Sequence, residues 1–240
     1  MIKHLQKTAC AIAMLSTTAS MALAANSINI EVAGVIKPAA CTPTLGDGGI
    51  VDYGNIGMNT LSVDHYTVLD EKELNVTVTC DALAKIALKL VNNQPADNAA
   101  GAGATQVSGF ALKPAEVTFL SKNSYVAGLG LAGTTKIGGY NAYLDLTSFT
   151  SSDGANDLKR DIVFRDASKP TNWRKSTGGN LMNSYVEHLT VAKTGTLVPE
   201  AFKTMTGKMK VQAYISRTSD LDLSQEIKLD GKSTIELVYL

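Results

Sequence analysis

The sequence carries no excess charge: 22 basic side chains stand against 22 acidic ones in 240 residues. A surface of that balance offers no general attraction to nucleic acid or to anionic lipid. Long hydrophobic runs are also absent. Beyond the first 25 residues no stretch of 18 apolar residues occurs, so no helical membrane anchor is expected. Catalytic signatures are missing as well. There is no Gly-x-Ser-x-Gly elbow, no phosphate-cradling glycine loop and no His-Glu-x-x-His. Past the leader the histidines are His65 and His188, which reads as surface chemistry rather than a metal or catalytic set. Asp220 and Asp222 stand two apart. On a strand they would share a face and hold a cation weakly, but a solvated turn is the expected setting. Asp153 to Asp157 lacks calcium-loop spacing. Neither an enzyme nor a cofactor is expected.

What is present begins with an export signal. Lys3, His4 and Lys7 form a basic start, Ala9 to Leu15 an apolar run, and Ala22-Leu23-Ala24 a small-x-small cleavage site. Residues 1–24 are therefore expected to be removed, with Cys10 among them. Loss of Lys3 and Lys7 leaves two more acids than bases. About 215 residues remain, enough for one large β domain or two small ones. Two cysteines are left, Cys41 and Cys80. In an oxidising compartment such a pair is expected to be bonded, and neither has a second metal ligand close in sequence.

Alternation dominates the pattern. Ile28, Ile30, Val32, Gly34 and Ile36 share one face of an extended segment, and Pro38 ends it. Gly46 to Gly49 reads as a turn, followed by a short strand over Ile50–Tyr53. Leu74, Val76, Val78 and Cys80 alternate with polar partners, so Cys80 faces inward. After a turn at Asp81-Ala82 comes Ile86, Leu88 and Leu90. A short helix over 82–91 fits the Ala and Lys content there, but period 2 favours a strand. Residues 92–106 read as a surface loop and 151–157 as another. Short strands are expected at 110–112, 117–119, 125–131, 140–146, 162–165 and 185–191, the last interrupted by Glu187 and His188. Met209, Val211, Ala213 and Ile215 share a face, and Leu221, Leu223, Ile227 and Leu229 extend the pattern. At the end Ile235, Leu237 and Tyr239 share a face, so the terminus is expected to be tied into a sheet. Many short strands with abundant turns predict an all-β sandwich.

The segment Ile28 to Cys41, the second cysteine in Val-Thr-Val-Thr-Cys80 and the tyrosine one residue from the terminus resemble subunits of chaperone–usher pili, and in particular a poorly characterised branch of fimbrial-type periplasmic proteins of Gram-negative bacteria. The resemblance covers the mature start and the end, and only loosely the long middle, roughly 95–200. It implies an incomplete immunoglobulin-like sandwich lacking its final strand, with loop insertions in the middle. Residues 25–37 become an N-terminal extension and 38–240 the domain. It further implies that Ile28, Ile30, Val32, Gly34 and Ile36 form a donor strand, with Gly34 at a crowded position. Ile235, Leu237 and Tyr239 then lie on the strand bordering the groove and met by the chaperone, and Cys41 and Cys80 form the disulfide. The implied partners are a periplasmic pilus chaperone, an outer-membrane usher and neighbouring subunits, and the implied location is the periplasm and then a fimbria at the cell surface. Where the family often carries a glycine near its end this chain has Ile227, with Gly231 the nearest glycine. Alternation alone also suits an ordinary first strand of the chain's own sandwich. A periplasmic immunoglobulin-like binding module, with Trp173 and Tyr185 as an aromatic platform, is the competing reading.

Overall fold

The structure, a computed structural model, describes residues 30–94, 99–121, 124–155 and 157–240. The expected leader, residues 25–29 and hence Ile28 lie outside them. The chain parts into two compact units at Lys37/Pro38. In the first, residues 30–37 carry no strand, and Ile30, Val32, Val35 and Ile36 are each at least 80% exposed. The second, Pro38–Leu240, is the domain described next.

Its strands are β1 Cys41–Leu45, β2 Thr67–Val68, β3 Lys72–Ala84, β4 Ile86–Asn92, β5 Ala111–Leu112, β6 Tyr125–Gly128, β7 Leu131–Ala132, β8 Thr135–Lys136, β9 Gly138–Leu144, β10 Thr150–Ser152, β11 Asp157–Asp166, β12 Arg174–Lys175, β13 Glu187–Lys193, β14 Phe202–Ile215 and β15 Ser233–Tyr239. Among the described residues there is no α-helix, so the period-2 reading of 82–91 prevails. One layer runs β1-β3-β14-β9-β6, the other β15-β4-β13-β11-β12, and β10 joins them by pairing with both β11 and β14. Every named strand pairing is antiparallel. This is an all-β, immunoglobulin-like sandwich.

Alternation explains the core. Leu74, Val76, Val78 and Cys80 on β3 and Met205, Met209, Val211, Ala213 and Ile215 on β14 turn inward. They meet Ile86, Leu88 and Leu90 of β4 and Leu189 and Val191 of β13 from the other layer. Cys41 and Cys80 are direct cross-strand partners and are disulfide-bonded. The expected turn at Asp81-Ala82 does not form. Asp81 donates its N–H to the Ala40 carbonyl and its carboxylate accepts the Ala40 N–H at 2.8 Å, which carries β3 on to Ala84.

The middle departs most from expectation. Ala99 and Ala100, read as loop, are buried, and Val117 and Phe119, read as strand, are buried without a ladder. All four pack on Tyr214, which points outward from β14 and donates its hydroxyl to the Ala100 carbonyl at 2.6 Å. Gly139 makes room: a Cβ there would stand 2.7 Å from the Tyr214 ring. The insertion thus covers an outer sheet face that a bare sandwich would leave wet. Residues 151–157 are not a plain loop either; β10 and β11 form a hairpin turning at Gly154, where φ is +103°.

Glu187 and His188, read as interruptions, are both buried at the start of β13, opposite Asp166 and Arg165. Burial pushes the Glu187 carboxyl up to about 7, opposed by the Asn183 side chain and Arg174. The folded state therefore favours the protonated form. That stabilisation is complete below the unfolded carboxyl value and disappears as pH rises through about 7. Glu187→Gln is expected to match the parent near pH 4.5 and to exceed it at pH 8 by roughly 2 kcal/mol. Urea midpoints at the two pH values measure this; equal midpoints at pH 8 contradict it.

Candidate functional site: an apolar groove beside the last strand

β15 pairs with β4 along its whole length, from Ser233↔Asn92 to Tyr239↔Ile86. Its other edge has no strand partner among the described residues. Residues 226–232, leading into it, likewise carry no ladder, and within them the Asp230 N–H goes to the Leu129 carbonyl at 2.9 Å. Facing them is the chain after β1. Ile50–Tyr53 was expected as a strand, but neither it nor the stretch to Ile56 joins a ladder, because β1 stays on β3 only as far as Leu45, the 3-10 turn Gly46–Gly49 then lifts the chain off the sheet, and the chain turns again at Gly54, where φ is +59°.

An apolar groove lies between these two unpaired walls. Its larger part, about 760 Å³, runs between Ile50–Leu61 and Leu221–Leu229 over Ile137 and Ile215. A second part, about 340 Å³, continues toward β15 over Leu74, Leu90, Leu129, Tyr140, Ala142, Met209, Val211 and Ala213, with Ile235 on its rim. Ile50, Val51, Tyr53 and Leu229 line both and mark the neck between them. The floor is the inward face of β14 and β9, whose side chains line the groove while remaining buried in the core.

Charged and polar side chains, among them Asp52, Asn55, Glu226, Lys228 and Lys232, lie on the walls, while the phenols over the floor are held. Tyr53 accepts the Ala213 N–H at 3.2 Å, and burial raises its pKa to about 12. Tyr140 shares a hydrogen bond of 2.5 Å with Ser233, and burial likewise raises it to about 12. Both phenols stay neutral at any physiological pH, so the groove presents hydrophobic surface with no charged floor. Gly231 sits on the rim above Tyr140, where a Cβ would approach the ring to 2.8 Å.

Of the residues that sequence reading assigned, Ile235 reaches the groove rim and Leu237 packs on the main core. Tyr239 crosses to the first strand, where its hydroxyl accepts the Cys41 N–H at 3.0 Å. That bond closes the end of the groove beside the disulfide. Sequence reading missed the floor and neck, above all Tyr53, Tyr140, Leu229 and Gly231. The alternation through Leu229 was visible, but not that it lines a gap.

The other motifs carry less. Asp220 ends a 3-10 turn and Asp222 accepts the N–H and hydroxyl of Ser224, the solvated-turn setting. Among the described residues no three His, Cys, Asp or Glu side chains converge. Trp173 is half-buried with the Arg165 guanidinium over its ring at 4.7 Å, so one face of the suggested platform is occupied. No helix among the described residues is long and apolar enough to cross a membrane.

Comparison with known proteins places the chain. Residues 30–141 match the family described as "Protein of unknown function (DUF1120)". The chain is 31% identical over 254 residues to protein GltF of Escherichia coli strain K12, covering 97% of each. It is 30% identical over 226 residues to the uncharacterized protein YhcF of the same organism, covering 92% of this chain and 94% of that protein. The chain belongs to the DUF1120 family. The DUF1120 match takes in β1 to β8, the wall at Ile50–Ile56 and residues 30–37, but ends before β14 and β15, so the opposite wall of the groove lies beyond it.

Tyr239→Phe removes the one bond described between the last strand and the first at the closed end of the groove. The Cys41 N–H lies near the surface and can turn to water, so the expected loss is about 1 kcal/mol. Chemical denaturation of the oxidised protein measures it, and an unchanged midpoint would show that the clasp adds nothing.

Proposed function

We propose that this DUF1120 protein is a structural subunit of a chaperone–usher fimbria, assembled by strand donation and serving adhesion. The observation that carries the proposal is the groove: a trough over core side chains, bounded on both sides by chain that has no ladder partner. Unpaired N–H and C=O groups beside buried apolar surface are costly, and an added strand satisfies the backbone while inserting every second side chain.

Residues 30–36 have the form of such a strand. From Ile30 to Ile36 they span as many residues as the floor from Met209 to Ile215, both on period 2. Ile30, Val32 and Ile36 are exposed, and moving each from water into a core contributes roughly 1.5–3 kcal/mol before ordering costs. In this reading a periplasmic chaperone lends the missing strand first, an outer-membrane usher exchanges it, and the extension of a neighbouring subunit replaces it. Export by the leader delivers the chain to the periplasm, where the Cys41–Cys80 bond forms, and assembly carries it to the cell surface. The role is structural rather than catalytic.

Deleting residues 25–36 is expected to leave a subunit that co-purifies from periplasm with its chaperone yet joins no fibre. Unchanged polymerisation of the deletion variant would sink the proposal. A graded version uses Gly34. Gly34→Leu is expected to lower the temperature at which assemblies dissociate by several degrees more than Asn29→Leu, because only the former meets the groove wall. Equal effects would remove the crowded position.

A further inference from the structure

Neither the groove wall nor the extension is uniform in size or charge, and the two patterns are complementary. On the wall, the Lys232 carbonyl accepts the Asn93 N–H and the Leu240 N–H goes to the Lys85 carbonyl, each at 3.0 Å. Even-numbered residues thus turn their backbone groups away from the groove. In extended chain the intervening residues turn theirs the other way, so Leu229, Gly231, Ser233 and Ile235 offer backbone groups to an incoming strand. Side chains follow the same period: Ile227, Leu229, Ser233 and Ile235 are half-buried, while Glu226, Lys228, Asp230 and Lys232 are exposed. In residues 30–37 Ile30, Val32, Gly34 and Ile36 are even-numbered, Glu31, Ala33, Val35 and Lys37 take the other face, and Glu31 and Lys37 are the charges.

Resting on the strand-donation reading above, we propose that the occupant of the groove is residues 30–36 of a second copy of this chain, antiparallel to residues 227–233 with Gly34 opposite Leu229. In that register Ile30 stands opposite Ser233 and Val32 opposite Gly231, bulk against small. Gly34 falls at the neck, where Leu229 lines both parts of the groove. On the outer face Glu31 meets Lys232 and Lys37 meets Glu226, which otherwise reaches Lys228 at 3.9 Å on an open surface.

Neighbouring registers fail on charge, since like charges directly opposite are destabilising. A two-residue slip toward the C-terminus sets Lys37 against Lys228. The same slip the other way sets Glu31 against Asp230. A four-residue slip in that second direction puts Ile30 against Leu229 and runs onto the turn where Asp222 caps Ser224. A one-residue slip turns the apolar face outward. Run in parallel, no register satisfies both charges, because six residues beyond Lys228 and Lys232 stand Thr234 and Val238.

Ala33 then falls opposite Asp230 on the outer face, at a non-hydrogen-bonded pair with Cα atoms about 4.5 Å apart, within disulfide reach. The full-length chain carrying Ala33→Cys and Asp230→Cys, exported in cells that assemble the protein, is expected to give a ladder of covalent multimers on a non-reducing gel. Ala33→Cys with Lys228→Cys, or with Lys232→Cys, is expected to give none. A ladder from an offset pair in its place overturns the register and leaves strand donation standing. A cross-linked monomer overturns the second copy as occupant. With no ladder from any pair, the deletion of residues 25–36 separates the cases. Lost assembly then condemns only this partner and register, and unaffected assembly condemns strand donation itself. An independent check exchanges the charges. Glu31→Lys and Lys232→Glu are each expected to lower the dissociation temperature of the assemblies, and together to restore it; failure to restore counts against the register.

Discussion

The architecture turns on a ladder that stops one strand short. β15 is fully paired on the β4 side and unpaired on the other, and the chain after β1 leaves its sheet just where it would have closed the gap. A sandwich buries apolar faces by stacking two sheets, and backbone groups at an edge must find water or another strand. Here the edge borders a groove over the inward face of β14 and β9, where Met209, Val211 and Ala213 line the bottom while remaining buried.

The strands next to the groove walls, β1 and β15, are each fixed to a neighbour. The disulfide pins β1 to β3 at directly opposed residues, and closing a ring of that size restricts the unfolded chain by about 4 kcal/mol in the loop-entropy account. On the far side seven cross-strand pairs hold β15 to β4, reinforced outside by the Lys89–Glu236 ion pair at 2.6 Å. Tyr239 ties the two walls at one end only.

The long middle plays a different part. Its Ala99, Ala100, Val117, Phe119 and Val126 form a second small core around Tyr214 on the outer face of β14, while Phe110, Phe149 and Ile162 join the main core. Gly139 permits the ring to lie flat against the sheet, and Ala100 receives its hydroxyl. The insertion thickens one layer without filling the gap. A smaller polar seam at Glu187 and His188 sits in the other layer, where burial rather than a partner sets the carboxyl's behaviour.

The sequence by itself determined what depends on local period and chemistry: the strand faces on β3, β4, β14 and β15, the inward Cys80, the all-β class and the apolar rhythm of residues 30–36. Each follows from alternation, which needs no knowledge of neighbours. Where a side chain satisfied a remote group, the local reading failed. Asp81 continues β3 by bonding Ala40, and Ala99, Val117 and Phe119 are buried by Tyr214, a residue about a hundred positions away. Only the tertiary structure decided that Ile50–Tyr53 leaves its sheet, that Leu229 forms a neck, and that a groove runs over the inward face of β14. Those are facts about which extended segment has no neighbour, and a missing neighbour leaves no period in the chain to read.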